Sequence, residues 1–91
     1  VYDVANGHFI GEDLGGGLRL VRDRLALVHF SDTYRTVYKH DPVGMGDVPF
    51  AVVPPVLRDI GYRELPMLEV ISLRPDEDIR DSARRLAGLG I

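Results

Sequence analysis

The run Leu25-Ala-Leu-Val-His-Phe30 constrains the fold of this chain more than any other feature, because it is almost continuously apolar. A half-exposed strand alternates apolar and polar residues, whereas an unbroken apolar run marks a strand buried on both faces of a parallel sheet. The segments around it alternate in the same sense. Val1-Tyr-Asp-Val-Ala5 reads as a short strand with one acid, and Leu65 to Ser72 as a third strand, with Glu69 set among Met67, Leu68, Val70 and Ile71. Between them lie helical spacings. Leu14, Leu18, Val21 and Leu25 recur at i, i+4, i+7 and i+11, which is one face of a helix. The Gly15–Gly17 triplet weakens a helix by about 1 kcal/mol per glycine, so this helix is expected to begin near Gly17. Val52, Val53, Val56, Leu57 and Ile60 form a second face, with Pro54 and Pro55 in the first turn and Gly61 as the stop. Ile79, Ala83 and Leu86 form a third face, opened by Asp76, Glu77 and Asp78 and closed by Arg84 and Arg85, as the helix dipole prefers.

The expected organisation is therefore α/β, with three consecutive βα units in a single domain over 1–91. Strands are expected near 1–5, 25–31 and 65–72, and helices near 17–24, 52–60 and 76–88. Three strands bury too little apolar surface to be comfortable alone, and the chain opens on Val1 inside a strand, so a fragment of a larger protein is expected. A (β/α)8 barrel needs about 250 residues, of which three units are the last third.

Composition narrows the function. The chain has 91 residues, no cysteine, and 11 Lys+Arg against 14 Asp+Glu, a formal charge of −3. Disulfides and thiolate zinc sites are excluded. The acidic balance argues against a nucleic-acid partner, which is gripped through counterion release by a basic surface. The longest apolar stretch, Phe50 to Leu57, is broken by Pro54 and Pro55 and falls well short of the roughly 20 residues that span a membrane. No basic region followed by an apolar core opens the chain, so a cytoplasmic location is expected.

In barrels and open α/β sheets, ligands sit beyond the C-terminal strand ends, where the informative polar residues lie: Asp3 on the first strand, His29 on the second and Glu69 on the third. A buried acid in a strand is costly unless paired, hydrogen-bonded or metal-bound. Singly, Asp3 reads as a loop-capping residue and His29 as a satisfied core histidine. Together, the three form an N/O ligand set for one divalent metal ion, Mn2+, Mg2+, Co2+ or Zn2+. Asp32 reads as an outer residue that orients His29 or holds the loop.

These residues and the motifs around them resemble a known family. Asp3-Val-Ala-Asn6, Val28-His-Phe-Ser-Asp32, Gly44-Met-Gly-Asp-Val-Pro-Phe50, Gly61-Tyr62 and Leu68-Glu-Val70 follow, in order, the C-terminal pattern of the xylose-isomerase-like TIM barrels. This is the sugar phosphate isomerase/epimerase group, which also holds ketose epimerases, inosose dehydratase and abasic-site DNA endonucleases. The resemblance implies strands six to eight of a barrel, with Asp3, His29 and Glu69 at three of four metal-ligand positions and the first Glu upstream. It implies that Arg35, six residues after His29 (35 − 29 = 6), contacts substrate, with a solvated loop arginine as the alternative. His40 is expected to be a substrate contact or a polar loop residue, although in the endonuclease branch a His four residues before the Gly-x-Gly turn (44 − 40 = 4) binds zinc. Asn6 stands where some epimerases use a substrate-binding His, and it is expected to contact substrate in that place. Asn6 and Tyr38 both replace zinc ligands of the endonucleases. His8 is expected to be an exposed loop residue.

The implied activity is a divalent-metal-dependent isomerase or epimerase of a sugar or sugar phosphate. It would act through an enediolate, with Glu69 as the proton-transferring carboxylate. A dehydratase on the same site, an endonuclease and a non-catalytic sugar-binding relic are the alternatives. The implied partners are a sugar-derived small molecule and the rest of the barrel, and a homo-oligomer is compatible with the pattern.

Overall fold

The computed structural model describes residues 1–65 and 67–91. Among them run β1 (Tyr2–Asp3), α1 (Val4–Phe9), α2 (Leu14–Leu20), β2 (Val28–Phe30), α3 (Val53–Asp59), β3 (Met67–Leu68) and α4 (Pro75–Gly88), with 3-10 turns at Arg22–Arg24 and Phe50–Val52. The strands form one parallel sheet in the order β1-β2-β3. The architecture is a small mixed α/β domain, and no helix among the described residues is long and apolar enough to cross a membrane.

Register decides which side chains share a face. Tyr2 pairs with Val28, Asp3 with His29, His29 with Met67 and Phe30 with Leu68. With the two-residue strand period, Tyr2, Val28, Phe30 and Leu68 belong to one face, while Asp3, His29, Met67 and Glu69 belong to the other. The first set packs into the core with Leu14, Leu18, Val53, Val56 and Leu57 from the helices. The second set is half-buried or exposed. The both-faces burial expected of β2 is not found: Val28 and Phe30 are buried on one face, while His29 on the other face is half-buried among polar neighbours.

Several element boundaries differ from the expected ones, each for a local reason. The first strand stops at Asp3 because its carboxylate caps α1, where Oδ1 accepts the Asn6 N–H at 3.0 Å. Val4 and Ala5, expected in the strand, are helical and fully buried. The second helix begins at Leu14, not Gly17, and carries all three glycines. Asp13 caps it by accepting the Gly16 N–H at 3.1 Å, and the glycines let it approach β1. A Cβ at Gly17 would lie 2.4 Å from the Tyr2 hydroxyl, and one at Gly7 would lie 2.6 Å from it. Burial first, then the charge of Glu12, pushes this enclosed phenol's pKa up to about 12.

The third strand is paired only over Met67–Leu68, although the Glu69 N–H still donates to the Phe30 carbonyl at 3.0 Å. Pro66, part of the expected strand, lies outside the described residues. Helix α3 closes at Ile60, after which Gly61 adopts φ +76° and the Tyr62 N–H bonds back to the Leu57 carbonyl. In α4 the inward residues are Ser82 and Leu86, whereas Ile79 and Ala83 are exposed. The Ser82 hydroxyl accepts the Val43 N–H at 3.0 Å and so ties α4 to the β2–α3 loop.

Candidate metal centre

Parallel strands deliver their C-terminal ends to one rim, and here that rim carries Asp3, His29 and Glu69. Asp3 and His29 stand side by side in register. Glu69 follows β3, and its Oε2 lies 2.9 Å from His29 Nδ1. The imidazole, itself half-buried, thus holds a carboxylate that is about half exposed.

His40 completes the group. The loop after β2 turns back on itself through an antiparallel pair of bonds, Asp32 N–H to Asp41 O at 2.7 Å and Asp41 N–H to Asp32 O at 2.8 Å. The segment after β3 holds it from the other side, where the Ile71 N–H donates to the His40 carbonyl at 2.7 Å. These bonds return His40 to the strand ends. One ligand atom each from Asp3, His40 and Glu69 then lies within 4.8 Å of the others. His29 is not in that group and touches it through Glu69. The ring of His40 is fixed on both sides, with Nδ1 3.1 Å from the Ser31 hydroxyl and Nε2 3.0 Å from the Tyr38 hydroxyl. Partial burial, then the carboxylates of Asp3 and Glu69, holds the Tyr38 phenol above its ordinary pKa.

Asp32 holds the loop and makes no hydrogen bond to His29. It is 1% exposed, and its carboxylate accepts three backbone N–H groups: Thr33 (2.9 Å) and Val48 (3.0 Å) at Oδ1, and Gly44 (2.8 Å) at Oδ2. The Gly44–Gly46 turn wraps this carboxylate. Gly44 has φ +99°, and a Cβ at Gly46 would lie 2.4 Å from the Thr33 carbonyl and 2.6 Å from Asp32 Oδ1. Their glycines are therefore required by the turn, whatever the site binds.

No protein-family model matches the chain, and a search of curated proteins finds no match.

The remaining candidates stand apart from the cluster. Arg35 is exposed in the loop and forms no ion pair among the described residues. The exposed Asn6 contributes its backbone N–H to the cap on Asp3. His8, expected to be exposed, is 5% exposed; its Nε2 lies 2.6 Å from Asp47 Oδ1, and its Nδ1 has no partner among the described residues. Helix α1, unforeseen in the sequence, carries it inward and joins it to the Gly46–Val48 turn.

Sequence reasoning also overlooked Ser31 and Tyr38 as supports of His40. The available signal was position. A serine directly after a buried strand and a Tyr-x-His pair in a loop that must return to the rim both place hydrogen-bonding groups beside the imidazole.

Proposed function

We propose that the chain forms the closing three βα units of a (β/α)8 barrel resembling the xylose-isomerase-like group, and that it serves a divalent-metal-dependent sugar isomerase or epimerase. The observation that carries this reading is the convergence of Asp3, His40 and Glu69 at the strand rim. Two carboxylates and an imidazole form a donor set suited to Mn2+, Mg2+, Co2+ or Zn2+. Two carboxylates brought this close repel each other unless a cation or proton lies between them, so the cluster fits such an ion. Support for the barrel comes from the sheet, whose polar face carries Asp3, His29, Met67 and Glu69, and from the exposed apolar side chains of Leu65, Ile71 and Leu73 just outside β3. In a closed barrel such positions meet further strands.

A divalent cation bound here would supply Lewis-acid polarisation of a substrate carbonyl oxygen. Glu69 would take the proton from the adjoining carbon; its return to the neighbouring carbon gives isomerisation, while epimerisation needs a second carboxylate, the upstream Glu that the resemblance implies, to deliver a proton to the same carbon from the opposite face. His29, donating from Nδ1 to Glu69 Oε2, fixes the direction of that carboxylate. Asp3 is held from behind by the Asn6 N–H and keeps its place as the chain turns into α1. Loss of water from the same first carbanion would make the enzyme a dehydratase.

The position of His40 favours a second reading, a hydrolytic zinc site of the endonuclease kind, against which Asn6 and Tyr38 weigh. Metal content of the full-length protein separates the two: one exchangeable ion supports the isomerase, and several zinc ions the nuclease. The proposed role of Glu69 is tested by Glu69→Gln, which keeps the size and one oxygen but removes the proton acceptor. Turnover is expected to fall about 10²–10⁴-fold and metal affinity to weaken, with the melting temperature little changed. A lowered melting temperature with normal turnover per folded molecule would make Glu69 a structural partner of His29 instead.

A further inference from the structure

His40 reaches the cluster with both ring nitrogens engaged, Nδ1 by Ser31 and Nε2 by Tyr38. A metal takes an imidazole through a nitrogen lone pair, so uptake of an ion by His40 breaks one of these two bonds. The two partners differ in freedom. Ser31 directly follows β2 and is 1% exposed, so its hydroxyl is held in the packed interior. Tyr38 stands in the loop, 41% exposed, with its ring against Phe9 (centroids 5.2 Å apart) and His40 (5.1 Å). Each hydroxyl can donate or accept, so either tautomer satisfies both contacts; the one that frees a nitrogen on the exposed side has Nδ1–H donating to the buried Ser31 Oγ and the Tyr38 O–H donating to Nε2. An outer acceptor on one nitrogen is the arrangement that orients a ligating imidazole, and it leaves Nε2 as the coordinating atom.

We infer that Tyr38 is a positioning residue that latches His40: its hydroxyl sits on the ring nitrogen a divalent cation takes, and loading the site moves the phenol off that nitrogen. The inference rests on the metal reading above and adds to it a group that competes with the ion. Phe9, on α1, gives the phenol its resting place, so the latch couples α1 and the β2–α3 loop to occupancy of the site.

The test is titration of chelator-treated full-length protein with Mn2+ and with Co2+ alone, in wild type, Tyr38→Phe and Ser31→Ala, with ¹⁵N spectra of the histidine rings in the metal-free state. Removing the competing hydrogen bond is expected to tighten binding about two- to tenfold in Tyr38→Phe, without lowering the melting temperature. Ser31→Ala, which loses the orienting acceptor, is expected to weaken binding about 10–100-fold. In the metal-free spectra Tyr38→Phe shifts Nε2 of His40, and Ser31→Ala shifts Nδ1. Wild type that binds the ion while Tyr38→Phe binds it equally or more weakly overturns the latch and leaves the metal reading standing. Wild type that binds no ion removes both.

Discussion

Asp32 shows at the scale of one residue how a buried charge is made tolerable and what that does for the site. Its carboxylate accepts three backbone N–H groups, and charge-assisted bonds of this kind are stronger than neutral ones. They fold the loop whose other arm carries His40. In Asp32→Asn one acceptor oxygen becomes an NH2 group facing a backbone donor, so at least one backbone N–H of the loop loses its partner. A loss of about 3 kcal/mol of stability is expected, together with weaker metal binding, because His40 loses its anchor. Chemical denaturation of the variant checks this, and unchanged stability would show that water can replace these bonds. Asp3 and Glu69 stood out in the sequence as acids among apolar residues, Asp32 as an acceptor close to His29, and His40 only through the resemblance. Their division of labour did not, because hydrogen-bond partners 12 and 16 residues away (Gly44 and Val48) leave no local pattern. His8 misled for a related reason: its burial depends on α1, and α1 depends on a cap that a strand reading of Val1–Ala5 excludes.

At the scale of elements, close approach decides where propensity does not. Of the three glycines in helix α2, Gly17 lies against the Tyr2 phenol and needs its missing side chain there. The helical period of Leu14 and Leu18 was legible, but the start was not, since glycine propensity pointed to a later one and only contact with another element corrects it. The neighbouring glycines separate the two effects. A Cβ at Gly15 would meet Val56 Cγ2 at an ordinary 3.4 Å, so Gly15→Ala is expected to stabilise the protein by up to about 1 kcal/mol through helix propensity. Gly17→Ala drives its Cβ into the Tyr2 hydroxyl and the Glu12 carboxylate, which lie at 2.4 and 2.5 Å. It is expected to destabilise by about 1–3 kcal/mol through overpacking. Thermal melts of the two variants check the pair, and equal shifts would mean that α2 has room to move away from β1.

Across the whole molecule, the sheet divides the chain into an apolar side facing the helices and a polar side carrying Asp3, His29 and Glu69. The βα alternation and the parallel order were readable from apolar runs and helical spacings. The inclusion of His40 was not, because the loop's return rests on the Asp32–Asp41 bridge and the Ile71–His40 bond, neither of which has a sequence signature. The rim formed by this return is proposed to bind one divalent cation through Asp3, His40 and Glu69, with His29 acting through Glu69. Calorimetric titration of chelator-treated full-length protein with Mn2+ tests it most directly when wild type is compared with His40→Gln and His29→Gln. One ion per chain is expected in wild type, no measurable binding in His40→Gln, and binding weakened about 10–100-fold in His29→Gln. Binding abolished in His29→Gln but unchanged in His40→Gln would contradict it.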